Sequence, residues 1–200
     1  MSSVVISGDT SGAITVAAPA VAGSNTITLP AVTGTAVVAG QNSAITAGTV
    51  NGGAANPLAS GTTVDFTSIP SWVKRITVML SGVSTSGSSN LQIQIGSSSF
   101  TTSGYLGSVQ VSASILAYTT GFGISFNHVN TANLYGVYCI QLLTGNTWVS
   151  TGMNSRSNDN GITVSSGSLA LGGTLDRLRI TTVSPGTDTF DAGSINILYE

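Results

Sequence analysis

Charge is what this sequence has least of. Five of its 200 residues are Lys or Arg and seven are Asp or Glu, 6% in all, against roughly 25% in an average soluble protein. Lys74 is the single lysine, and the net charge of −2 comes with no basic block. Nucleic acid needs clustered Lys and Arg to neutralise its phosphates, so the composition argues against that partner. One cysteine, Cys139, excludes an intrachain disulfide framework. It lies in the apolar run LYGVYCIQLL, which predicts a buried thiol. One histidine, His128, leaves no second ligand for a two-histidine metal motif and reads as a loop residue. No GxSxG, HExxH, P-loop or CxxC occurs, so no cofactor is implied and the expectation is a non-enzyme. No apolar run reaches the roughly 18 residues of a membrane span, despite a mean hydropathy of +0.37. MSSVVISGD has neither a basic stretch nor a long apolar one, so no secretory signal peptide is expected.

What is present is glycine (25 residues), small hydrophobics, and Ser and Thr between them, with hydrophobic residues reaching 41%. Disorder needs the opposite balance. The mixture predicts an all-β chain with many turns. It also divides by composition. The first 64 residues hold no aromatic side chain, no Lys or Arg, and one charge, Asp9. Aromatics bury roughly 150–250 Å² each, and small domains are marginal even with them. This segment must therefore borrow partners from other chains. It repeats itself: Ile14-Thr15-Val16 and Pro19-Ala20-Val21 are echoed by Ile27-Thr28-Leu29 and Pro30-Ala31-Val32. GDTSG, between VVI and AITV, has hairpin-turn chemistry. Residues 1–39 are thus expected to form a short-stranded, intertwined oligomeric segment, or else a flexible arm, and the Gly/Ala-rich residues 40–62 a connector.

From residue 63 to residue 200 strand patterns recur about every ten residues. They are expected at 63–67, 73–80, 91–96, 108–118, 122–127, 135–142, 147–151, 162–165, 176–182 and 194–199. Leu91, Ile93 and Ile95 alternate with Gln92 and Gln94, as Leu178 and Ile180 do with Arg177 and Arg179. This is half-buried antiparallel sheet, and the expected fold is a jelly-roll-like β-sandwich. In SIPSWVKRITVML, Ile76, Val78 and Leu80 form a core face and Trp72 is expected to plug the end of the sandwich. Lys74 or Arg75 should pair with Asp65, Asp176 or Asp191, although a cation beside an aromatic also suits an anionic sugar.

The candidate site is GNTWVSTGMNSRSNDNG, residues 145–161, read as a long polar loop. Long loops on rigid β scaffolds commonly carry binding. This one gathers Trp148, Asn154, Arg156, Asn158 and Asp159, an aromatic face with amide and carboxylate hydrogen-bonding groups, as sugar recognition requires. The alternatives are a solvated turn and a calcium loop, the latter short of carboxylates. Asp188 and Asp191, in the turn-rich segment before the last strand, are the two carboxylates close enough in sequence to approach each other for acid–base work.

IPSWVKRITVMLSGVSTSGSSN followed by LQIQIG, together with LDRLRITTVSPGTDTFDAGSINILYE, resembles the C-terminal part of tail-fibre-like structural proteins of tailed bacteriophages. ISGDTSGAITVAAPAVAGSNTITLP resembles their short N-terminal segments. The resemblance implies a virion component, typically a homotrimer. Its N-terminal part would dock on other virion proteins and its C-terminal β domain would face outward, toward host cell-surface polysaccharide. It carries no catalytic signature and transfers no binding residue. A purely structural head or neck decoration fibre, without a receptor, is the alternative.

Overall fold

The computed structural model describes the backbone of Ser3–Ser7, Ala13–Ala17 and Asn56–Pro57, and residues 61–158 and 161–200 in full. The chain separates into two compact units, Met1–Val37 and Val38–Glu200. In the first, β1 (Ser3–Ser7) and β2 (Ala13–Ala17) pair antiparallel, with Val4 opposite Val16 and Ile6 opposite Ile14. These strands flank the GDTSG segment. The second echo of the repeat, residues 26–34, and most of the proposed connector lie outside the described residues.

The second unit is a sandwich of two antiparallel sheets, as the alternation predicts. Its strands are β3 (Asn56–Pro57), β4 (Thr63–Thr67), β5 (Arg75–Thr85), β6 (Leu91–Ser97), β7 (Ser99–Phe100), β8 (Leu106–Val111), β9 (Ser114–Tyr118), β10 (Phe122–Gly123), β11 (Leu134–Thr144), β12 (Thr147–Arg156), β13 (Ile162–Ala170), β14 (Arg177–Thr182) and β15 (Phe190–Tyr199). The smaller sheet runs β10-β6-β14-β4, with β7 folded back on β6. The larger runs β3-β15-β5-β11-β12-β13-β8-β9.

Register explains the core. In the smaller sheet Ile95, Leu178 and Phe66 form one row and Ile93, Ile180 and Val64 the next. Facing them, Ile197, Val78 and Tyr138 align across the larger sheet, as do Tyr199, Ile76 and Ile140. All of these are buried except Tyr199, which is half-buried. Each fully buried aliphatic side chain contributes about 1.5–3 kcal/mol. Toward β12 and β13 the inner face turns small, with Ser150, Gly152, Ser165 and Gly167. Rings occupy the room this leaves: Tyr138 lies over Gly152 and Phe122 over Gly167.

β5, β12, β13 and β15 extend beyond the strands read at 73–80, 147–151, 162–165 and 194–199, and three further expectations change in kind. Residues 108–118 are two strands, because Ser112 takes a left-handed φ of 52° and turns the chain back at Ser112-Ala113. No Asn-Gly or Asp-Gly pair announced that hairpin. Residues 122–127 shorten to a two-residue strand, and 124–133 cross over the core as a loop with Ile124, Ser125, His128 and Ala132 buried. The opposite face of β6 is not open to solvent: Gln92 and Gln94 are buried, with Gln94 Nε2 donating to Thr120 O at 2.9 Å and Thr120 Oγ1 donating to Gln92 Oε1 at 2.8 Å.

Candidate interaction face

The long polar loop expected at residues 145–161 is mostly strand. β12 covers Thr147–Arg156, and only the turns on either side remain. Strand alternation then decides where the candidate residues point. Trp148, Asn154 and Arg156 are separated by even steps, so they share a face of β12, and it is the inner one. Trp148 is a member of the hydrophobic core. Asn154 Nδ2 donates to Ile124 O at 2.6 Å and also to the Tyr138 hydroxyl. Arg156 Nη1 donates to Phe126 O at 3.1 Å and Asn127 O at 2.9 Å. Both side chains anchor the 124–128 segment over the core, so their polarity is used inside the protein. Asn158 is exposed in the following turn, apart from the others. Asp159 lies outside the described residues. Of the four described candidates, the structure turns three inward and leaves Asn158 in the exposed turn beyond β12.

The ends of the sandwich also differ from expectation. Trp72 is not a plug: it is 43% exposed, its ring 5.9 Å from that of Tyr199 in a tilted pair. Arg75 pairs with Glu200, not with an aspartate. Asp65 is held by Arg179 through two bonds of 2.7 Å, and Arg179 lies 4.0 Å from the centre of the Phe100 ring. Asp176 is taken by its neighbour Arg177, whose hydrogen bond holds the carboxyl below the usual range. Asp191 accepts from Ser84. Asp188 accepts from Ser89 N at 2.7 Å, closing the loop before β6.

His128 is in a loop, as expected, but buried. Its Nε2 lies 3.0 Å from Thr85 Oγ1 and its backbone N donates to Asn90 Oδ1. Burial, followed by the nearby positive charge of Arg156, lowers its pKa, with Asp188 and Asp191 opposing. Burial likewise pushes the Tyr105, Tyr118 and Tyr138 hydroxyls well above their ordinary range, leaving them neutral hydrogen-bonding groups.

The surface that stands out is one that no polar motif marked. Eleven large hydrophobic side chains are exposed among the described residues, and eight belong to β8, β9, β11, β12 and β13. Val137, Met153 and Val164 are direct cross-strand neighbours, and Tyr135 and Ile162 flank Ser155 in the adjacent row. Between the two rows is a hollow of about 310 Å³ lined by Tyr135, Val137, Met153 and Ile162 among others. Cys139 is on this face too, half-buried instead of interior, because alternation sends Tyr138 inward and Cys139 out. The five strands carry one charged residue, Arg156, and it points inward. Methyl groups, a thioether and a phenol ring without charge can exclude water from a partner.

No protein-family model matches the chain, and no curated protein or solved structure matches it.

Proposed function

We propose that the chain is a non-enzymatic subunit of a bacteriophage virion fibre or spike, active as a homotrimer. Its N-terminal segment docks on other virion proteins and its C-terminal sandwich is carried outward. The observation that carries this reading is the β1–β2 pair. Its register sets branched apolar residues opposite one another at alternate positions, Val4 with Val16 and Ile6 with Ile14. A two-stranded hairpin is marginal in water by itself, and the first 64 residues supply no aromatic residue or base to support one. A segment with this pattern gains its stability by lying against other chains, which is what docking requires. The sequence likeness to phage fibres names the kind of assembly.

Between an outward domain that grips host glycans and one that is purely structural, the inward placement of Trp148, Asn154 and Arg156 favours the second. The three lose the direction they would need to hold a sugar.

The test uses full-length chains supplied to the phage that encodes them. Ile6→Asp with Ile14→Asp should leave the circular dichroism of the sandwich intact and remove the chain from gradient-purified particles. Variant chains incorporated at the wild-type level would refute docking through this hairpin. A wild-type chain absent from particles would refute the virion reading.

A further inference from the structure

We infer that the outer face of β11, β12 and β13 is a contact surface between two copies of this chain. The inference deepens the homo-oligomeric reading above and rests on it for the claim that the chain works as an assembly.

A solvated sheet face is normally dressed with charged and long polar side chains, and a monomer seldom exposes a large contiguous apolar patch. Here Val137, Met153 and Val164 meet side by side across three central strands, each about half exposed. The row runs on through Gln110 to Ile115 on one side and to Met79 on the other. No Lys, Arg, Asp or Glu interrupts it. The sequence of β11, LYGVYCIQLLT, is apolar almost throughout, the pattern of a strand buried on both faces. Among the described residues only one of its faces is packed against another sheet.

Size agrees with this. The three strands, spaced about 4.8 Å apart and rising about 3.3 Å per residue, give roughly 450–500 Å², and β8 and β9 beside them extend the face to roughly 600–700 Å². A stable interface buries about 800 Å² per partner. The face is thus large enough to supply most of one side of an interface.

Charge identifies the occupant. An uncharged face, its apolar side chains interspersed with Thr151, Ser155 and Ser166, gives a charged partner no counter-charge and would desolvate its ions without return. A further copy of this chain brings the same lack of charge, and around a three-fold axis the faces of three copies can close on one another, each covering part of its neighbours.

Cys139, the chain's one cysteine, reports on the face directly. The full-length protein is examined by light scattering and sedimentation at micromolar concentration, with the rate of maleimide labelling of Cys139 measured in parallel. The wild type is expected to be oligomeric with a slowly labelled thiol. Val137→Glu with Val164→Glu places carboxylates on exposed positions and should raise the dissociation constant about 100-fold or more, speed the labelling, and leave the far-ultraviolet spectrum unchanged. Should that variant fail to fold, Val137→Thr with Val164→Thr should weaken association about 10-fold. A wild-type monomer with a fast thiol overturns the inference. So does a monomer with a protected thiol, since another part of the same chain would then cover the face. Undiminished association of the folded variant overturns it as well. Particle incorporation is not part of this measurement. A chain that associates through the face yet never enters virions would refute the virion reading alone.

Discussion

Replacing Gly152 by alanine tests how the interior is filled. Gly152 is opposite Tyr138 in the β11–β12 pairing, and a Cβ there would come within 2.5 Å of three carbons of the Tyr138 ring. The ring cannot slide freely. Tyr138 is fully buried, its hydroxyl donates to Ile124 O at 2.9 Å, and it accepts from Asn154 Nδ2. Overpacking costs about 1–3 kcal/mol, and breaking a buried hydrogen bond that water cannot replace costs about another 1–3 kcal/mol. The lower entropy of the unfolded alanine chain returns about 0.4–1 kcal/mol. The expected net loss is about 2–4 kcal/mol. Urea unfolding followed by circular dichroism measures it, with chain concentration held fixed because association adds to apparent stability. If the Tyr138 ring is the cause, Gly152→Ala should cost less than about 0.5 kcal/mol in a Tyr138→Ala background. A loss below about 1 kcal/mol in the wild type, or an undiminished loss in the Tyr138→Ala chain, would refute the reasoning.

His128 predicts a pH dependence. Its pKa in the folded protein lies below the ordinary 6.5, through burial and Arg156, with the carboxylates Asp188 and Asp191 opposing and the neutral Thr85 and Asn90 in contact. The unfolded chain therefore binds the proton first, so stability is full above about pH 6.5 and falls as the pH drops below it. Urea midpoints from pH 8 to 5 should show this fall, and His128→Gln should abolish it; an unchanged slope in the variant would rule His128 out. Arg179→Lys keeps the charge but loses the two-pronged grip on Asp65 and the stacking on Phe100. A loss of about 0.5–1.5 kcal/mol is expected, smaller in a Phe100→Leu background. Unfolding curves of Arg179→Lys that overlay the wild type would show that guanidinium geometry is irrelevant there.

The fold was legible where alternation is strict. Leu91, Ile93 and Ile95, and Leu178 and Ile180, point into the core as read, and β4 occupies the residues expected of it. The candidate site was misread for a physical reason. Beyond the strand expected at 147–151, the residues GMNSR looked like a loop because Ser, Gly and Asn favour turns. In the folded chain their polarity satisfies the carbonyls of Ile124, Phe126 and Asn127, partners more than twenty residues away that no local pattern reveals. The outer face did leave a trace. LYGVYCIQLL is apolar at odd and even positions alike, whereas a half-buried strand alternates. Two-sided apolarity asks for cover on two sides, and one of them can come from outside the chain.

The order of strands in the larger sheet also sets an order in time. β11, β12 and β13 follow one another closely in the sequence and pair in that order, so they close small loops. β5, beside them, takes its other partner from the far end of the described chain, with Ile76 opposite Tyr199. Closing that distance costs more entropy and comes later. Contact order thus predicts that the three-stranded meander forms first, with Val137, Met153 and Val164 uncovered on one side and Tyr138, Ile140 and Trp148 on the other, before β5 and β15 dock and before the smaller sheet shields its inner surface. High concentration and haste are then hazards for this chain. A yield that improves with dilution and slow release from denaturant would be the practical mark of that interval.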